Sequence, residues 1–179
     1  PYFVEQAADL LQDSDVDLVT VIGFPYGYST TMSKFQEMED AMQAGAYHMD
    51  MVINIAAVKA QDWDLVETEI QTLTRLAHSE DRIVKVIAES GIMSEVELDL
   101  IIRIANDCGI DYLKTSTGMN GTGATAEAIE QMRKGLSAGI RIKASGGIRT
   151  REAALEMISL GADRIGASAS LAIMQEGAN

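Results

Sequence analysis

The sequence has little cysteine and histidine, and it lacks a long apolar run. One cysteine and two histidines are too few for a Cys/His metal site. The cysteine, Cys108, lies on the apolar face of a predicted helix, which indicates core packing. No apolar stretch approaches the ~20 residues of a membrane-spanning helix, and the start does not resemble a signal peptide. We therefore predict neither a metal centre nor membrane insertion.

Positive charge is also scarce. The chain has 14 Lys and Arg against 27 Asp and Glu, a formal net charge of −13. Binding to nucleic acid or to an anionic membrane needs clustered basic residues, so neither partner is expected. With 179 residues, 47% of them apolar, the chain can bury the core of one domain. We predict a single domain over residues 1–179 and a cytoplasmic location.

Apolar, β-branched segments alternate strictly with segments of helical periodicity. Strands that are apolar on both faces are typical of a parallel sheet covered by helices. Two helix starts fit a capping box, Ser33 with Gln36 and Ser94 with Glu97. The six predicted strands cover residues 17–24, 47–55, 82–89, 111–116, 140–145 and 163–168, with helices before, between and after them.

A helix-ending glycine leads into a strand three times, and a distinctive residue follows five positions later. The pairs are Gly45 with Asp50, Gly109 with Lys114, and Gly161 with Gly166. We therefore expect Asp50, Lys114 and Gly166 at equivalent heights on their strands. Polar residues also gather where strands end, as they do on the catalytic rim of a (β/α) barrel. No G-x-G-x-x-G motif follows the first strand, so a dinucleotide-binding sheet is not indicated. The predicted fold is α/β, of the (β/α) TIM-barrel type.

Two lysines, Lys114 and Lys143, stand in strands that are otherwise apolar. Unpaired buried ammonium groups are costly, and a lysine adds to a carbonyl only when it is neutral. Burial and a nearby cation both lower a lysine's pKa from its ordinary value of about 10.4. Consecutive barrel strands would place the two amines side by side, one as a Schiff-base nucleophile and the other as its electrostatic partner. Asp50 could move protons at the substrate carbon. The alternative is a buried Lys–Asp ion pair without catalysis.

A glycine-containing segment stands at the end of each of the last two predicted strands. Ser145-Gly146-Gly147 leads into one helix and Gly166-Ala167-Ser168 into the final short helix. In a barrel, a helix that follows one of these strands through a glycine-containing turn can bind phosphate with the backbone N–H groups at its N-terminus. Together with the lysines, they predict an aldol-type enzyme acting on a phosphorylated sugar or aldehyde.

Five segments resemble the deoxyribose-phosphate aldolase family of class I, Schiff-base aldolases. They occur in the family's order across nearly the whole chain, and the lysine motifs are highly specific. The segments are residues 20–25 (TVIGFP), 49–54 (MDMVIN), 113–118 (LKTSTG), 142–149 (IKASGGIR) and 164–168 (RIGAS).

This resemblance implies interconversion of 2-deoxyribose 5-phosphate with acetaldehyde and glyceraldehyde 3-phosphate, without a metal or organic cofactor. It implies that Lys114 forms the Schiff base, that Lys143 lowers the pKa of Lys114, and that Asp50 transfers protons with a water. The phosphate would be held by Gly146, Gly147 and Ser168, with Thr117 as a helper.

Lys85 also matches a lysine of the family's barrel, and it shares a predicted strand face with Glu89. The two residues either support the site from behind the catalytic groups or form a plain ion pair. Both alternatives stay open on the sequence.

The chain departs from the family in three respects. The family's barrel has eight strands, whereas this chain supplies six, so we expect an incomplete barrel that lacks the first strand, helix and second strand. Either the sequence is part of a longer chain, or it pairs with another copy as a homo-oligomer. Alone, we expect it to be oligomeric or aggregation-prone with little activity.

Met119 stands where some members carry a lysine, and Ala169 where a hydroxyl is common. These two departures predict looser phosphate binding.

Two other functions fit the same residues. One is a different Schiff-base barrel aldolase or a transaldolase with another carbonyl donor. The second is a catalytically inactive fragment that binds a phosphosugar.

Overall fold

A computed structural model describes residues 1–175, and within that range six strands alternate with eight α-helices. The strands are β1 (Val19–Ile22), β2 (His48–Val52), β3 (Ile83–Ile87), β4 (Tyr112–Lys114), β5 (Arg141–Ser145) and β6 (Arg164–Gly166). The helices are α1 (Val4–Leu10), α2 (Thr31–Gln43), α3 (Ile55–Lys59), α4 (Trp63–Ser79), α5 (Glu95–Cys108), α6 (Ala126–Gly135), α7 (Arg151–Ser159) and α8 (Ser170–Gln175). A 3-10 turn covers Ser90–Ile92. The six strands and their order confirm the predicted alternation.

The chain divides into two compact units. Of the described residues, the first unit comprises Pro1–Val86 with Cys108–Asp111, and the second comprises Ile87–Asp107 with residues 112–175. The single domain predicted over 1–179 stays a prediction, and its residues 176–179 lie outside the described part.

The first unit is organised by β1 and β2, which pair in parallel with Val21 opposite Asp50 and Ile22 opposite Met51. β2 is buried on both faces, as expected for a strand covered by helices. Methionines fill much of this core, since Met38, Met49 and Met51 are fully buried. Their flexible thioethers fill irregular gaps between helix and sheet.

The second unit contains the parallel strands β4, β5 and β6. Lys114 is the Cα partner of Lys143, Lys143 is the partner of Arg164, and Ser145 is the partner of Gly166. Gly166 therefore lies two residues beyond the level of the lysines, and the prediction of equal heights for Lys114 and Gly166 was wrong. Counting from the preceding glycine ignores the relative stagger of neighbouring strands, which only the register reveals.

The helix ends follow the sequence signals with one exception. Gly45, Gly109 and Gly161 have φ values of 102°, 65° and 109°, the left-handed conformation of a helix-ending glycine. The capping box at Ser94 is confirmed, because Glu97 accepts from the Ser94 N–H at 2.7 Å and Ser94 Oγ accepts from the Glu97 N–H at 3.3 Å.

The capping box at Ser33 was wrong. Thr30 Oγ1 accepts a hydrogen bond from the Ser33 N–H at 3.2 Å, so Thr30 is the N-cap and α2 begins at Thr31.

Several strands end earlier than predicted, because polar side chains near their ends make other contacts. β2 stops at Val52, and Asn54 caps the short helix α3 by accepting from the Ala57 N–H at 3.1 Å. β3 stops at Ile87, so Glu89 lies outside the strand that was predicted to include it.

Cys108 is partly exposed, contrary to the core position predicted for it, because it is the last residue of α5. No helix within residues 1–175 has the length and apolar character to cross a bilayer.

Candidate active site

The two lysines that the sequence singled out lie at the same level of neighbouring strands. Lys114, at the end of β4, is the direct Cα partner of Lys143 on β5. The Thr115 N–H donates to the Lys143 carbonyl at 3.0 Å and fixes the two strands at this level. Partners in a parallel pair present their side chains on the same face. The two lysines are therefore neighbours on adjacent strands, as the order of the strands predicted.

The two amines differ in exposure. Lys114 is only 7% exposed, whereas Lys143 is partly exposed. Burial disfavours the charged form of an amine, and so does a like charge next to it. Of the two amines, Lys114 therefore lies in the more buried environment.

Gly166, on β6, leaves room for the Lys143 side chain. A Cβ on Gly166 would lie 3.0 Å from Lys143 Cε and 2.9 Å from Ser145 Cβ. The contact with Ser145 Cβ is shorter than real Cβ atoms tolerate and the contact with Lys143 Cε is tighter than most, so a larger residue would require both side chains to shift. The sequence marked Gly166 as distinctive, but only the structure gives the reason.

The ends of β4 and β5 are joined by buried hydroxyl groups. Thr115 Oγ1 donates to the Ser145 carbonyl at 2.9 Å and accepts from the Ser145 N–H at 3.0 Å. Ser145 Oγ in turn donates to the Ser116 carbonyl at 2.6 Å. This network fixes the segment after Lys114 against the segment after Lys143.

The predicted phosphate segments lie beyond these strand ends. Gly146 and Gly147 adopt positive φ values of 89° and 79°. The Ala124 N–H donates to the Gly146 carbonyl at 3.1 Å, and a Cβ on Gly123 would lie 2.5 Å from that oxygen. Glycine at 123 therefore permits the backbone of the loop to approach Gly146 closely. Ser168 is exposed and precedes α8.

Glu89 anchors the loop that follows Lys114. Its carboxylate is fully buried and accepts hydrogen bonds from Thr117 N at 3.1 Å, from Thr117 Oγ1 and from Asn120 Nδ2 at 3.2 Å. Its backbone has φ 53° and ψ 49°, a left-handed conformation that is strained for a residue with a side chain. Asn120 was missed by the sequence analysis, since an amide in a glycine-rich loop gives no periodic signal.

In the first unit, Asp50 is held by Lys85. Lys85 Nζ donates to Asp50 Oδ1 at 2.9 Å, and both residues are at most 1% exposed. Lys85 thus forms an ion pair with one of the predicted catalytic residues. Such a pair fixes the position of the carboxylate, because breaking a buried ion pair is strongly unfavourable.

A second buried ion pair in the first unit was missed by the sequence analysis. Lys34 Nζ lies 2.7 Å from Glu69 Oε1, and both residues are at most 1% exposed. Burial lowers the pKa of the Lys34 ammonium and raises the pKa of the Glu69 carboxyl. A signal was present, because each residue interrupts the buried stripe of its helix, Lys34 beside Met38 and Glu69 beside Ile70.

Metal-binding groups do not cluster in the described part of the chain. Within residues 1–175, no group of three or more His, Cys, Asp or Glu side chains could hold a metal ion. The two histidines instead contact carboxylates, His48 with Asp17 at 3.1 Å and His78 with Asp111 at 3.0 Å.

Comparison with known proteins places the chain in one enzyme class. The model of the DeoC/LacD family of aldolases matches residues 2–176. The chain belongs to this family, and aldolases of this kind are lyases. The predicted α/β fold of the (β/α)-barrel type, with six strands in this chain, agrees with the solved structures of that family.

The chain is similar to deoxyribose-phosphate aldolases from three organisms. The chain is 47% identical to the deoxyribose-phosphate aldolase of Bacillus cereus (strain B4264), over 97% of this chain and 78% of that protein. It is 47% identical to deoxyribose-phosphate aldolase 2 of Bacillus licheniformis, over 100% of this chain and 81% of that protein. The solved tetrameric deoxyribose phosphate aldolase of Aeropyrum pernix is similar with a TM-score of 0.91 and 29% identity, over 98% of this chain and 74% of that one.

Proposed function

We propose that this chain is a class I aldolase that cleaves and forms 2-deoxyribose 5-phosphate, with acetaldehyde and glyceraldehyde 3-phosphate as the two fragments. The observation that carries the proposal is the direct pairing of Lys114 with Lys143 across β4 and β5. It is supported by the 47% identity to curated deoxyribose-phosphate aldolases. The reaction needs an amine nucleophile, a group that moves a proton at carbon, and a phosphate site.

In this proposal, Lys114 adds to the aldehyde carbonyl, and loss of water leaves a Schiff base. Removal of a proton from the neighbouring methyl group gives an enamine, whose carbon attacks glyceraldehyde 3-phosphate. Water then releases the sugar phosphate and restores the lysine. The neighbouring charge of Lys143 favours the neutral form of Lys114 before attack.

Asp50 is the proposed proton-transfer group, acting with a water. Its contact with Lys85 keeps the carboxylate in one place, which is what a group that exchanges protons with a fixed carbon atom requires. Lys85 therefore supports the reaction through Asp50 rather than by touching the substrate.

For phosphate, we assign the backbone around Gly146 and Gly147 together with Ser168. The left-handed turn at the two glycines precedes α7, an arrangement that turns backbone N–H groups toward an anion. The Thr117 hydroxyl already donates to Glu89. Thr117 and Glu89 therefore help phosphate binding indirectly, by shaping the loop between β4 and α6.

The proposal is tested by trapping the Schiff base. The protein is incubated with acetaldehyde and borohydride, and the reduced adduct is located by peptide mapping. An ethyl group on Lys114, absent from Lys114→Met, supports the proposal. A label that appears only with a ketose donor favours a different Schiff-base aldolase or a transaldolase. Binding of 2-deoxyribose 5-phosphate without adduct or turnover favours an inactive phosphosugar-binding protein.

We also infer that the protein assembles into a homo-oligomer, and we keep a cytoplasmic location as a prediction. The similarity to an aldolase whose structure is tetrameric supports the first inference. Size-exclusion chromatography with light scattering tests it, and a monodisperse, fully active monomer would contradict it.

A further inference from the structure

The ion pair between Lys34 and Glu69 has no part in the chemistry proposed above, yet it lies at the end of the strand that carries Asp50. Lys34 extends from α2 and Glu69 from α4, and the two meet 2.7 Å apart with almost no exposure. A buried ion pair is at best weakly stabilising compared with apolar residues of the same volume. Its position therefore calls for an explanation other than stability.

Both members of the pair also bind the backbone just beyond Asp50. Lys34 Nζ donates to the Val52 carbonyl at 2.8 Å. Glu69 Oε1 accepts from the Asn54 N–H at 3.1 Å. The backbone is thus held two and four residues after Asp50, where β2 ends and the chain turns into α3.

Gly23 gives the Lys34 side chain its path to this point. A Cβ on Gly23 would lie 2.7 Å from Lys34 Cε and 3.2 Å from Lys34 Cδ. Gly23 directly follows β1, whose last residue Ile22 pairs with Met51 on β2. The lysine stem therefore crosses the end of β1 to reach the end of β2.

We propose that Lys34 and Glu69 are positioning residues that fix the end of β2 and thereby hold Asp50 in place for proton transfer. The inference rests on the proposed function, in which Asp50 moves the proton at the substrate carbon. Lys85 binds the Asp50 carboxylate directly, and the Lys34–Glu69 pair restrains the strand at its end. Hydrogen bonds to charged groups in a dry environment are the strongest available for this purpose.

The proposal predicts a selective loss of the proton-transfer step. Misplacing a catalytic group by about 1 Å can cost on the order of 100-fold in rate. Schiff-base formation at Lys114 does not require Asp50 to be placed with the same precision. The two steps can be measured separately on the full chain, by borohydride trapping with acetaldehyde and by deuterium incorporation into the acetaldehyde methyl group in D₂O.

The test uses two substitutions at one position. In Glu69→Leu the Asn54 N–H loses its acceptor, so deuterium incorporation should fall about tenfold or more, while trapping at Lys114 stays within about twofold. In Glu69→Gln the amide oxygen can still accept from Asn54, so incorporation should recover to within about threefold of the parent protein. Recovery by the conservative variant separates positioning from general loss of structure.

Met38→Ala supplies a matched control on the same helix. Met38 is fully buried one turn after Lys34, and its truncation removes packing but no polar contact to β2. Met38→Ala should lower thermal stability and leave the ratio of deuterium incorporation to trapping unchanged. If Glu69→Leu does not fold, Lys34→Met/Glu69→Leu keeps both sites apolar and filled, and the same ratio is read on that variant.

Two results would overturn the inference. One is a folded Glu69→Leu or double variant whose incorporation is unchanged, and the other is an equal fall of the ratio in Met38→Ala. In either case the parent protein still forms its Lys114 adduct, so the proposed function stands. A parent protein that forms no adduct at all overturns the proposed function and the positioning role with it.

Discussion

The Cε atom of Lys143 lies 3.0 Å from the point where a Cβ on Gly166 would stand. The two residues are on adjacent strands, and Gly166 is the Cα partner of Ser145, two residues beyond Lys143. Because Gly166 has no side chain, the lysine stem can extend past β6. The absence of one methyl group therefore leaves room for the side chain of one of the two proposed catalytic lysines.

Replacing Gly166 by alanine should displace Lys143 and Ser145 together. The φ angle of Gly166 is not in the left-handed region, so alanine meets steric crowding rather than backbone strain. We expect kcat/KM for 2-deoxyribose 5-phosphate to fall by about tenfold or more, since small displacements of a catalytic group are costly. Retro-aldol kinetics measure this loss, and thermal unfolding shows whether the variant is folded.

Gly139→Ala is the matched control. No atom lies within 4 Å of a Cβ at this position, and its φ angle is not left-handed. Alanine there should leave activity unchanged and keep stability equal or raise it by about 0.4–1 kcal/mol. An equal loss of activity in both variants would show that Gly166 has no special relation to Lys143.

Glu89→Gln should loosen the loop that follows Lys114. All three groups that bind the Glu89 carboxylate are donors, namely Thr117 N, Thr117 Oγ1 and Asn120 Nδ2. An amide offers one acceptor oxygen and places N–H donors against the remaining partners. We expect a loss of about 1–3 kcal/mol in the free energy of unfolding, together with a higher KM for the phosphorylated substrate.

Urea unfolding and retro-aldol kinetics test this expectation, with Glu130→Gln as control. Glu130 is exposed on α6, so its substitution should change neither quantity. If Glu89→Gln matched Glu130→Gln in stability and KM, the anchoring role of Glu89 would be refuted.

The order of elements and the lysine pair could be predicted from the sequence for a simple physical reason. Burying an unpaired lysine ammonium in an apolar strand costs so much free energy that lysines at positions 114 and 143 indicate a catalytic role. Strict alternation of strands and helices then implies that consecutive strands are neighbours. These two arguments need no knowledge of side-chain contacts.

The remaining features depend on tertiary contacts that local patterns do not encode. Lys34 and Glu69 are 35 positions apart, and their meeting depends on how α2 and α4 pack. The level of Gly166 relative to Lys114 depends on strand stagger, which cannot be counted along the chain. Thr30 rather than Ser33 caps α2, and two hydroxyl residues three positions apart give the same local signal.

The Lys34–Glu69 pair should make stability depend on pH in a defined direction. Burial raises the pKa of Glu69 above its ordinary 4.5, so just above pH 4.5 the folded protein keeps a proton that the unfolded chain loses. Over that range the free energy of unfolding falls as pH rises. Burial lowers the pKa of Lys34 below 10.5, so the unfolded chain keeps its proton longer, and stability rises as pH approaches 10.5.

The pair therefore contributes least to stability near neutral pH. Relative to the parent protein, Lys34→Met/Glu69→Leu should be most favoured at neutral pH and less favoured in mild acid and in alkali. Urea unfolding at neutral pH, in mild acid and in alkali measures the difference in the free energy of unfolding between the two proteins. A difference that did not vary with pH would contradict the assigned pKa directions.

Met119→Lys should strengthen binding of the phosphorylated substrate. Met119 is 67% exposed, and its N–H donates to Thr117 Oγ1 at 3.0 Å, so its side chain leaves the loop between β4 and α6 that, in our proposal, supports the phosphate site. An ammonium there adds a point charge for phosphate without disturbing a buried contact. We expect KM for 2-deoxyribose 5-phosphate to fall by about threefold to tenfold, with less gain at high salt because the charge is exposed.

Met32→Lys, at a 69% exposed position on α2, makes the same change in net charge and should leave KM unaltered. A similar fall of KM in both variants would attribute the gain to net charge, and no fall in Met119→Lys would place the phosphate away from this loop.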